Sequence, residues 1–180
     1  GLDLIGIDPA QNIKLVFNSK DFINVRDFFS IKAYNSVTSK KAGLVFNIAM
    51  FYHSDDPVGL SRSVAECLAE DGIWIIQMAY LPAMLATNMY DNIVHEHRGY
   101  YALQHLKWIM ELVGLEVFDV QLNNVYGGSM RVFVKKKGCQ NYPQTKNYQT
   151  ILQNELELRL FDTSTYLAFM RKVEKTRLDL

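Results

Sequence analysis

The chain has little of what would set it apart from ordinary globular proteins. Its 180 residues include two cysteines, Cys67 and Cys139, and four prolines. Two such cysteines form no disulfide framework and match no zinc spacing, so a reducing compartment is expected, with the cytoplasm as the default. No apolar run reaches the roughly 18 residues of a membrane-spanning helix, and no charged-then-apolar leader opens the chain; neither a span nor a signal peptide is expected. Net charge is also missing. Nineteen basic residues against nineteen acidic ones leave no field to hold a phosphate backbone, so nucleic acid is not an expected partner. The one basic run, Lys135-Lys136-Lys137, closes a strand-like stretch and reads as a solvated edge. A last absence is more pointed. No G-x-G-x-x-G turn precedes the first strand to hold a cofactor tail, and Gly127-Gly128 comes late, between two strands. Either the first strand and glycine loop of a nucleotide-binding fold lie outside this chain, or the fold is of another kind.

What is present is a pattern for one core. Apolar residues make up 49% of the chain and aromatics 12%, enough for an ordered domain of this length. Short apolar runs, Leu4 to Asp8 and Phe22 to Asp27, each end in an acid. Gly43 to Ala49 is apolar almost throughout and is expected to be a central strand covered on both faces, and Ile73 to Gln77 follows an Asp71-Gly72 turn. Between them, Pro57 opens a helical spacing of Leu60, Val64 and Leu68, and Leu103, Leu106, Ile109, Met110 and Val113 run to Gly114. This alternation predicts an α/β fold, a parallel sheet with helices on both faces. Leu115 to Leu122 and Met130 to Val134 have no helix between them, which predicts an antiparallel hairpin at one edge. Tyr148 to Leu178 reads as one long amphipathic helix.

Ligands of such sheets bind at the carboxyl ends of the strands. Asp8 and Asp27 stand there, the first suited to both hydroxyls of an adenosine ribose and the second to an adenine amine. Each could equally cap a helix or a turn. The densest polar cluster is Tyr90-Asp91-Asn92-Ile93-Val94-His95-Glu96-His97. His97 can serve as a base, with Glu96 beside it to raise its proton affinity. His95 and His97 lack an evident third ligand, so no metal is expected. The pair could also simply tie a loop to backbone carbonyls. Tyr126-Gly127-Gly128-Ser129 is either a hairpin turn or a place where backbone amides approach a ligand.

The stretch from Tyr90 to Gly138, with its D-N-I-V-H-E-H, later G-L, D-V and G-G-S series, resembles the S-adenosylmethionine-dependent sugar C-methyltransferase family. The runs Ile48 to Pro57 and Leu2 to Ser30 look like that family's nucleotide-binding portion. The resemblance implies a Rossmann-like class I methyltransferase sheet. Residues 1–138 would be its truncated core, and 139–180 a linker and connecting helix towards a further domain. The family's zinc-binding module and C-terminal domain would lie outside this chain. It implies S-adenosylmethionine as cofactor, contacted by Asp8, Asp27, Phe28 and Ala49. The substrate it implies is a small molecule, a nucleotide-linked keto-sugar, walled by Tyr90, Tyr126, Gly127, Gly128 and Ser129. His97 falls at the family's proposed base, with Glu96 and His95 as its neighbours. Two departures stand out: Val94 where some members have tyrosine, and Tyr126 where histidine is common.

Two other readings remain open on the residues alone. An acid closing a strand also suits the ribose of a nicotinamide cofactor, which would make the chain an oxidoreductase. A methyltransferase fold can also be kept as a non-catalytic scaffold.

Overall fold

A computed structural model describes residues 2–11 and 22–179. Gly1, at the head of the first expected strand, and positions 12–21 within the family-like amino-terminal stretch lie outside them. Two short apolar runs form β1 (Leu4–Ile7) and β2 (Phe22–Val25), paired in parallel from Leu4 opposite Phe22 to Ile7 opposite Val25. The Ser30 hydroxyl accepts from the Ala33 amide and so caps a short helix, α1 (Ile31–Asn35). Strand β3 (Ala42–Ile48) then leads through a 3₁₀ turn, Phe51–His53, into α2 (Pro57–Cys67). Helix α2 starts where a sequence reading expects it. Pro57 fills a position whose amide has no partner in the helix, and Asp56 accepts from the Gly59 amide.

Strand β4 (Leu68–Ala79) pairs in parallel with β3 and is followed by α3 (Leu81–Thr87) and α4 (Leu103–Leu112). The hairpin β5 (Leu115–Asn123) and β6 (Ser129–Lys136) comes next, then α5 (Lys146–Glu157) and α6 (Thr163–Leu178). The larger sheet has the order β3-β4-β6-β5, with β6 antiparallel to both its neighbours. The expected hairpin is therefore present at one edge, with β5 outermost and the antiparallel strand one place in. Its core is continuous: Trp74, Ile76 and Met78 of β4 meet Val132 and Val134 of β6, Val117 and Val120 of β5, and Leu103, Leu106 and Met110 of α4. Each such fully buried large side chain contributes roughly 1.5–3 kcal/mol, so this layer dominates the stability of the chain. Among the described residues no helix is long and apolar enough to cross a membrane.

Four expectations need correction. Gly43 to Ala49 is not covered on both faces. Among the described residues β3 pairs only with β4, and Leu44, Phe46 and Ile48, which alternate onto one face, are exposed, Phe46 to 65%. Leu68 does not close α2 but opens β4. Ala42 pairs with Leu68 and Leu44 with Ile73, so Asp71-Gly72 bulges within the strand instead of preceding it. Lys135 is no solvated edge: it is 5% exposed and lies opposite Glu116 in the hairpin register, with its ammonium 2.9 Å from that carboxylate. The carboxyl-terminal segment is two helices, not one. Arg159 takes a left-handed φ of 51°, Asp162 accepts from the Ser164 amide to begin α6, and the Thr165 hydroxyl donates to the carbonyls of Leu158 and Arg159. Short polar side chains here compete for the backbone and break the helical run.

Candidate active site

The carboxyl ends of β3 and β4 and the segments that follow them hold the densest polar assembly. Phe51 is fully buried, with its ring against Trp74 at 5.9 Å and edge-on to Tyr101 at 5.4 Å. That anchor fixes the turn that presents Tyr52 and His53. The Tyr52 carbonyl accepts from the Arg98 amide at 2.8 Å, and this draws the loop after the 3₁₀ turn Tyr90–Asn92 over the same spot. His97 is thereby packed edge-on to Tyr52, His53 and Tyr100, with ring centroids 4.5, 5.2 and 6.1 Å away.

The hydrogen bonds decide the tautomers. His97 Nδ1 lies 2.9 Å from the Asn92 carbonyl oxygen. A carbonyl only accepts, so Nδ1 carries the hydrogen, and in the neutral imidazole Nε2 keeps its lone pair. His53 repeats the device, its Nδ1 donating to the Glu96 carbonyl at 3.0 Å. Burial first, and then the neighbouring Tyr126 hydroxyl, raise the pKa of Tyr52. Tyr52 thus stays a neutral hydroxyl at physiological pH.

The sequence-expected residues divide accordingly. His97 belongs to the cluster, whereas Tyr126, in the turn after β5, is 71% exposed. Glu96 contributes its backbone carbonyl, but its carboxylate points to solvent near His95, at 3.9 Å, so it does not stand beside His97 as expected. His95 is 93% exposed at its side chain, in a turn that it shares with Glu96. Tyr90 sits in the turn that leads into the loop and is partly exposed. Ser129 is buried and donates to the Val125 carbonyl, closing its own turn. The glycine pair faces protein: a Cβ on Gly127 would lie 2.6 Å from Met89 Sδ, and one on Gly128 2.5 Å from Ala83 Cβ. Tyr52 and His53 are the residues that sequence reasoning passed over. They sit in the Ile48 to Pro57 run, just past a strand's carboxyl end, and that position is the signal for them.

The cofactor candidates line the same ends of the strands. Asp8 follows β1, its amide donating to the Val25 carbonyl and its Oδ1 accepting from the Ala10 amide. Asp27 lies two residues past β2, with its Oδ1 accepting from the Phe28 amide, and the Phe28 ring is exposed. Ala49 follows β3 with φ 53°, a conformation that costs a non-glycine residue of the order of 1–2 kcal/mol and is held here by the hydrogen bond that its amide donates to the Gln77 carbonyl. Two residues earlier, Asn47 Oδ1 accepts from Trp74 Nε1 at 2.7 Å. Its buried Nδ2 has no partner among the described residues.

Residues 1–120 match the family model described as a methyltransferase domain. The chain belongs to the methyltransferase family. Residues 124–180 of this methyltransferase chain match a second model, the C-methyltransferase C-terminal domain. C-methyltransferase NovU of Streptomyces niveus is 33% identical over 135 residues, which are 74% of this chain and 32% of NovU. The chain thus spans about a third of that relative's length. Among solved structures, a putative methyltransferase bound to the Haloferax volcanii Trm112 activator aligns with a TM-score of 0.57 at 11% identity, over 79% of this chain and 75% of that one. The plantazolicin methyltransferase BpumL, solved with a triazolic desmethylPZN analog and S-adenosylhomocysteine, aligns with a TM-score of 0.54 at 12% identity, over 75% and 67%. At such identities the likeness establishes the fold: a Rossmann-like class I methyltransferase sheet.

Proposed function

We propose that the protein transfers the methyl group of S-adenosylmethionine to a carbon atom beside a carbonyl, on a keto-sugar nucleotide or a related small molecule, with His97 as the base. The observation that carries this reading is the His97 imidazole, held at Nδ1 by a backbone carbonyl and without a hydrogen-bond partner at Nε2 among the described residues, within a cluster of aromatic rings. The homologous NovU is described as a C-methyltransferase, which supports carbon as the acceptor.

The strand ends suit the cofactor. Asp8 offers a carboxylate for the ribose hydroxyls, and Asp27, with the Phe28 ring beside it, one for the adenine amine. The unpartnered Nδ2 of Asn47 and the strained Ala49 backbone would meet the methionine side, where a carboxylate or carbonyl would satisfy the orphaned donor. When bound, S-adenosylmethionine supplies an electrophilic methyl on a sulfonium centre. His97 Nε2 would take the proton from the carbon beside the carbonyl, the C–H electron pair would pass into an enolate, and that carbon would bond the methyl as the methyl–sulfur bond breaks, its electron pair staying on sulfur and S-adenosylhomocysteine leaving. The rings of Tyr52, His53 and Tyr100 hold the imidazole in place, so that its reach is set before the acceptor arrives. Tyr52, neutral at physiological pH, can donate to the developing enolate oxygen. Tyr90 and the Tyr126 to Ser129 turn form the acceptor's wall in this reading.

Methyl-¹³C S-adenosylmethionine, given to the complete protein with a panel of keto-sugar nucleotides, tests the reaction. The product's methyl resonance is expected in the carbon-bound region; a methyl found on oxygen would sink the carbon assignment.

A further inference from the structure

Helix α4 begins without a cap of its own. Ala102, at the capping position, has no side chain to accept from the first amides of the helix, and those amides face the interior. A residue far along the chain takes that role. Glu155 of α5 is fully buried, and its two carboxylate oxygens accept from the Leu103 amide at 2.7 Å and the Gln104 amide at 2.9 Å. His105 completes the cap, its Nδ1 accepting from the Ala102 amide at 3.0 Å. The Tyr80 side chain faces the same carboxylate; burial first, and then the Glu155 charge, raise its pKa. An isolated buried carboxylate is costly, and two charge-assisted bonds to a helix N-terminus are what make this one tolerable.

What this carboxylate holds is the downstream end of the His97 loop. Tyr101, directly before Ala102, gives its carbonyl to the Leu81 amide and its ring to Phe51, the anchor of the Tyr52-His53 turn. Tyr80 carries the other side: its amide donates to the Gly128 carbonyl of the glycine turn. One carboxylate therefore stands where the histidine loop, the Phe51 turn and the glycine turn converge. It comes from the stretch that matches the C-methyltransferase C-terminal domain, whereas the loop lies in the stretch that matches the methyltransferase domain.

We propose that Glu155 is a positioning residue of the site, through which the carboxyl-terminal helices order the His97 loop. This rests on the reading of that loop as the catalytic one. Amide hydrogen exchange of Glu155→Gln in the complete protein tests it without any methyl transfer, so a wrong role for His97 leaves the readout intact. The substituted amide keeps the size of the carboxylate but places an N–H against one of the two donors. Exchange at Arg98 to Gln104 is expected to rise about tenfold or more, while the amides of β4 and β6 keep their rates. In turnover, kcat falls about tenfold with the KM for S-adenosylmethionine unchanged. Should Glu155→Gln not fold, Glu155→Asp, which keeps the charge but withdraws it by one methylene, is read in the same way. Exchange that rises uniformly across the sheet, or a loop that does not change, would overturn the proposal.

Discussion

Gly127 and Gly128 are glycine for a reason that lies inside the protein. Both have positive φ, 76° and 138°, and each would drive a Cβ into a neighbour on the α3 side of the site. Gly128→Ala is therefore expected to cost about 1–3 kcal/mol in urea unfolding, since strain and overlap act together. A change under about 0.5 kcal/mol would remove this account of the pair. In the sequence, the same pair reads either as a hairpin turn or as a place for a ligand to approach, because spacing does not say what stands across from a glycine. His97 is singled out by its motif, whose family resemblance proposes a base there without needing the fold. The part played by Glu96 is not legible there: adjacency in sequence suggests a partner for His97, but the loop turns its carboxylate away and uses its carbonyl. Tyr52 and His53 escape for the complementary reason. Their proximity to His97 is made by the buried Phe51 and by one backbone bond from Arg98 to Tyr52, neither of which leaves a local pattern.

Among the elements, those with strong periodicity are where the pattern places them. Helix α2 starts at its proline and α4 ends before Gly114, and the β5–β6 hairpin has no helix between its strands. The misplacements occur where tertiary pairing overrides local preference. Leu68 fits the four-residue spacing of α2, yet the free edge offered by Ala42 draws it into β4. The break between α5 and α6 is written in Asp162, Thr163, Ser164 and Thr165, but apolar spacing runs across it and masks the caps. Asp162 is exposed and accepts from the Ser164 amide. Asp162→Ala is expected to lower stability, as loss of a helix cap does, read as a lower midpoint in thermal unfolding followed by circular dichroism. An unchanged midpoint would mean that α6 does not depend on this cap.

At the scale of the whole molecule, the fold class is legible from alternation alone, because apolar runs ending in acids between helical spacings leave few topologies open. The division of the strands is not. β1 and β2 pair with one another and share no hydrogen bonds with β3, whose outer edge and apolar face stay open among the described residues. A run of apolar residues looks the same whether one or both of its faces are covered. Across the two sheets, the strand ends still bring the acids, the orphaned Asn47 amide and the histidine loop into a single functional reading, methyl transfer with His97 as base. The most direct test is the methyl-transfer rate of the complete protein carrying His97→Asn, measured beside its affinity for S-adenosylhomocysteine. The account predicts a fall in kcat of about 100-fold or more with the affinity unchanged, the usual scale of a lost general base. A His97→Asn protein that turns over at the wild-type rate would contradict it.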